Sequence, residues 1–149
     1  MKQGTIYSFR SNAFSIRYDE DLATNPGYFG ESLANWLATE LKCHNYQPKV
    51  LAEDWGWCVL LNSKGYYLWV GCSNIISEEI LASSMAKPPD ANNIIWQVFG
   101  ELEIPFWRVI EKLRWKLGRS PLMAEQQKLD TTLEKILTAH SEINFCEPP

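Results

Sequence analysis

Gly56-Trp57-Cys58-Val59-Leu60-Leu61-Asn62-Ser63-Lys64-Gly65-Tyr66-Tyr67-Leu68-Trp69-Val70-Gly71-Cys72 is the stretch that decides the fold. Two runs of aliphatic, β-branched and aromatic residues flank a short polar connection that ends in glycine, which is the pattern of a β-hairpin. Neither arm carries a charge. A strand covered on both sides by neighbours reads as a continuous apolar run, so the hairpin, at about 56–72, is expected in the middle of a sheet.

Upstream of the hairpin, residues 28–43 repeat Phe29, Leu33, Trp36, Leu37 and Leu41 at three- and four-residue steps, and Glu31, Asn35, Thr39 and Lys42 lie off that stripe. This spacing predicts an amphipathic helix, with Asn25 as its cap and Pro26 in its first turn. Before it, Phe14, Ile16 and Tyr18 alternate with Ser15 and Arg17, so a strand is expected within Thr5–Tyr18. Downstream, the Pro-containing stretch from Ser73 to Asn93 predicts a long excursion with a helical turn around Ser77 to Met85, and residues 94–101 read as another strand.

The last third predicts helices over 105–118 and 121–140 and a short terminal strand at Ile143 and Phe145. In the first of these helices Phe106, Val109, Ile110, Leu113 and Leu117 form the expected core face. With no repeats or linkers, the sequence reads as a single α+β domain, 1–149, built on a largely antiparallel sheet with about three helices.

Composition narrows the function. Among 149 residues, 18 acids face 14 bases, a net charge of −4, so a nucleic-acid partner, which needs a basic surface, is not expected. No run approaches a membrane span. The opening MKQGTIYSFR lacks the apolar core of a signal peptide, and Cys43, Cys58, Cys72 and Cys146 show no CxxC spacing, so a reducing, cytoplasmic setting is expected. The sequence contains no phosphate loop, nucleophile elbow or metal-ligand motif, and no catalytic residue, cofactor or metal site is assigned.

Two places can carry a site. In Glu53-Asp54-Trp55-Gly56-Trp57, read as strand, the two indoles project to one side and can wall a ligand pocket with Glu53 or Asp54 as polar anchor; alternatively the indoles fill core. Between Ile104 and Ser120, five bases accompany the single acid Glu111, and Arg108, Lys112, Trp115 and Arg119 share a helix face opposite the expected core stripe. Tryptophan among arginines is the composition of an interaction hot spot, and an acidic protein is the partner it fits; alternatively the last helix folds back over Trp115.

Asn25-Pro26-Gly27-Tyr28-Phe29-Gly30 and Glu53-Asp54-Trp55-Gly56-Trp57 together resemble a family of small bacterial cytosolic proteins of uncharacterised activity. The resemblance implies a bacterial setting and transfers no site residue. The expected function is a non-catalytic protein-interaction module, such as an immunity or antagonist protein, with homo-oligomerisation open. The alternative is a small-molecule-binding domain or minor enzyme with an aromatic and acidic pocket around Trp55 and Trp57.

Overall fold

The computed structural model describes residues 4–83 and 87–148. Six strands, β1 (Ile6–Arg10), β2 (Lys49–Glu53), β3 (Gly56–Asn62), β4 (Tyr67–Ile75), β5 (Ile95–Glu103) and β6 (Asn144–Phe145), form one antiparallel sheet in the order β2-β3-β4-β5-β1-β6. Among the described residues four α-helices complete the α+β domain: α1 (Glu31–Cys43), α2 (Glu78–Ser83), α3 (Val109–Lys116) and α4 (Leu122–Ala139). The uncharged hairpin is β3–β4, and it is central as its composition requires.

Alternation sorts the strands into two faces. Trp57, Val59, Leu68, Val70, Cys72, Trp96, Val98 and Phe9 share one face and pack with Leu33, Leu37 and Leu41 of α1 and Leu129, Leu133 and Leu137 of α4. Helix α1 lies across β2, β3 and β4, and α4 lies across β5. The other face presents Leu51, Cys58, Leu60, Tyr67, Trp69 and Phe99, and neither long helix covers it. The molecule is therefore a two-layer sandwich with one side of its sheet left bare of the long helices among the described residues.

Several elements differ from the expectation. The N-terminal strand is confined to β1; the Phe14–Tyr18 alternation is irregular chain, and Phe14 instead inserts its ring against Trp36, Trp96 and Phe9. Strand β2 is an additional, half-exposed edge strand whose mixed Lys-Val-Leu-Ala-Glu composition gives no clean alternation. Helix α2 occupies the expected helical turn, of which residues 84 and 85 lie outside the described residues.

Helix α1 starts three residues later than the spacing predicts, because Asn25-Pro26-Gly27-Tyr28 forms a β-turn closed by the Tyr28 N–H on the Asn25 carbonyl at 3.0 Å. The buried Glu20 carboxylate caps α1 in place of Asn25, accepting from the N–H groups of Gly30 (2.6 Å) and Glu31 (3.2 Å). Burial raises the Glu20 carboxyl above its usual range, and the backbone N–H donors oppose that shift.

The two sequence motifs meet at one atom. A β-carbon on Gly30 would lie 3.2 Å, and one on Gly56 2.5 Å, from the Cys72 carbonyl oxygen of β4. Both glycines also have positive φ, 132° and 145°, where side chains are strained. Asn74 adds a clamp from β4, accepting from the Phe29 N–H and donating to the Gly27 carbonyl. The motifs are thus fold determinants: they seat two turns on the same strand.

Candidate functional site

The chain reverses at Asp54-Trp55, with Glu53 paired opposite Gly56, so Trp55 is a turn residue and not part of a continuous strand. That single fact separates the two indoles. Trp57, only 9% exposed, enters the helix-covered core, whereas Trp55 folds onto the bare face against Trp69 and Phe99, with ring centroids 5.5 and 5.9 Å away. The pocket expected between Trp55 and Trp57 does not form.

In its place, a trough of about 380 Å³ crosses the bare face. Leu51, Cys58 and Leu60 lie along it with Trp55, Tyr67 and Trp69, and Glu53 and Glu103 contribute carboxylates. Of the expected ligand residues, Glu53 and Trp55 therefore come together. Asp54 is exposed in the turn, where its carbonyl accepts from the Asn25 amide at 3.1 Å. Burial, with Glu53 and Glu103 nearby, pushes the Cys58 thiol up to about 12, so it is a neutral side chain at physiological pH and a poor nucleophile.

A second feature lies at the end of β5. Helix α3 is amphipathic as the spacing predicts, but it is turned the other way. Trp115 is 5% exposed and joins the core, and buried Glu111 accepts a hydrogen bond from the Ser120 hydroxyl and pairs with Arg114 at 3.6 Å. The expected core stripe faces outward. Phe106, Trp107, Val109, Ile110, Leu113 and Leu117 are between 56% and 78% exposed, a continuous apolar ridge.

The bases border this ridge. Taking Val109 as zero at 100° per residue, Ile110, Leu113 and Leu117 fall between about 40° and 100°, Lys112 and Lys116 lie near 300° and 340° on one flank, and Arg114 lies near 140° on the other. Val109 and Leu113 share a concavity of about 390 Å³ with Lys112 and Lys116. Arg108 is tied to the hairpin loop through its guanidinium, which donates to the Gly65 carbonyl at 2.8 Å. Arg119 is exposed past the helix end, where its N–H closes the last turn on the Arg114 carbonyl.

Among the expected partner residues, then, Arg108, Lys112 and Arg119 remain near the surface and Trp115 does not. The outward sense of the apolar stripe is hidden in the sequence by the rule that such a stripe faces inward. The sequence carries one partial signal: the adjacent rings of Phe106 and Trp107 point apart in regular structure, which leaves at least one of them outside a core. On the sheet, Tyr67 and Trp69 alternate with Leu68 and Val70, so β4 is apolar on both faces and its second face needs a cover of its own.

No assembled catalytic constellation is present among the described residues. His140 packs edge-on against Trp36 at 5.0 Å and accepts the Glu142 N–H through Nδ1, a structural position. No group of three or more His, Cys, Asp or Glu among the described residues is placed to hold a metal ion, and no helix there is long and apolar enough to cross a membrane. No family model matches the sequence, and comparison with curated proteins and with solved structures finds no match.

Proposed function

We propose that this chain is a non-catalytic protein-interaction module, of the kind that holds or masks a partner as immunity and antagonist proteins do, and that the α3 ridge is its docking face. The observation that carries this reading is the outward apolar stripe. Six side chains, two of them aromatic rings of roughly 150–250 Å² and all more than half exposed, together offer on the order of 700 Å², close to what one partner contributes to a standard interface.

The back of the helix supports the same reading. Trp115 and the Glu111–Ser120 contact hold α3 to the domain, so the apolar side chains are presented on a fixed element and less ordering is needed on binding. Charge selects the partner. The single acid of the segment is the buried Glu111, and a two-fold pairing of ridges would set Lys112 and Lys116 close to bases of the second copy. A partner with an apolar groove bordered by carboxylates complements both features. The bacterial and cytosolic setting follows from the sequence resemblance and is part of the proposal.

The test compares wild type with Ile110→Ser/Leu113→Ser, whose exposed sites leave folding intact. Co-purification from the native cell, followed by titration of the purified partner, should show capture by wild type only and affinity at least about 100-fold lower for the variant, given two lost anchors. Capture of the same proteins by both chains would overturn the proposal. So would ridge-dependent dimerisation in light scattering, or ridge-dependent sedimentation with anionic vesicles in place of a protein.

A further inference from the structure

The bare sheet face has its own chemistry, of opposite sign to the ridge and independent of it. Trp55, Trp69 and Phe99 are mutually in contact, with centroids 5.5 to 5.9 Å apart, so no ligand fits between them. Trp55 and Trp69 instead border the trough, with Leu60 and Cys58 alongside. Glu53 and Glu103, both exposed, supply its charge; Lys49 shares this face of β2 but does not line the trough.

We infer that this trough binds a small organic cation whose charge sits on a methylated nitrogen. Indole faces carry negative potential and attract a cation, and the two carboxylates add to the same field. The lining between them is aliphatic and aromatic, with one neutral thiol and the Tyr67 hydroxyl. A primary ammonium has three N–H donors, for which the exposed Glu53 and Glu103 carboxylates are the charged acceptors while the rings and aliphatic side chains supply none; a trimethylated nitrogen keeps the charge the carboxylates attract, has no donors to satisfy and packs its methyl groups on the apolar lining. A volume of about 380 Å³ suits a small molecule.

The experiment titrates the full chain with choline, with ethanolamine, and with 3,3-dimethylbutan-1-ol, which has the shape of choline but no charge. Binding is read by ligand-methyl saturation transfer and indole N–H shifts. Choline should bind in the millimolar range and the other two at least about fivefold more weakly. Trp55→Leu and Glu53→Gln/Glu103→Gln should each weaken choline, and Ile110→Ser/Leu113→Ser should leave it unchanged. Equal binding of choline and its neutral analogue, no shift up to about 50 mM choline, or binding abolished only by the ridge variant would overturn the inference.

Discussion

Truncating two residues of one short helix discriminates between the inward and the outward placement of its apolar stripe. Trp115 is 5% exposed and embedded in the core, so Trp115→Ala should cost about 3–5 kcal/mol in lost burial and cavity formation. Ile110 is 70% exposed, so Ile110→Ala removes little buried area. Its cost is below about 1 kcal/mol, and the better helix propensity of alanine returns a few tenths of that. Urea unfolding followed by far-UV circular dichroism avoids the change in indole fluorescence and reads both variants on one scale. At this chain length about 1 kcal/mol corresponds to roughly 2–4 °C, so melting points should separate by about 10 °C. Equal losses, or a larger loss for Ile110→Ala, would mean that the ridge is buried and would refute both the orientation of α3 and the docking face built on it.

Three further outcomes follow from the structure. Gly56→Ala places a β-carbon 2.5 Å from the Cys72 carbonyl at a φ of 145°, and should destabilise by at least about 2 kcal/mol in the same urea assay; a neutral substitution would contradict the close approach. The Glu20 carboxyl is raised in the fold, so the folded chain holds its proton more tightly than the unfolded one, whose value is near 4.5. Its contribution is greatest below that value and is lost as pH rises through the folded pKa, so wild type should lose stability relative to Glu20→Gln over that window; parallel stability curves would refute the assignment. With a thiol reagent at mildly alkaline pH, exposed Cys43 and partly exposed Cys146 should react, while burial keeps Cys58 and Cys72 protonated and silent until denaturant is added; a third fast thiol would show that the sheet opens readily.

Periodicity made much of this fold legible. The uncharged arms around Asn62–Gly65 marked the central hairpin, and the stripe of α1 faces the core as its spacing requires. What stayed hidden depended on contacts between distant residues. The cap of α1 comes from Glu20, eleven positions before the helix starts, and no local rule connects the two. The reversal at Asp54-Trp55 needs the conformation of Gly56, and without it an indole pair looks like one wall when it straddles the sheet. In α3, amphipathicity was readable but its sense was not, because hydrophobic pattern alone cannot tell a face that meets its own domain from one turned away from it. The site therefore emerged only in part: Glu53, Trp55, Arg108, Lys112 and Arg119 were in reach of the sequence, while Trp69, Glu103 and the ridge residues needed the register and the packing.

One oxygen of Cys72 serves as the shared seat for two loops that lie 42 and 16 residues upstream of it. A swelling at either glycine, or a slip of the strand that carries the seat, is transmitted to the other two partners at once. Substitutions at Gly30 and Gly56 should therefore couple in their effect on stability and not simply add.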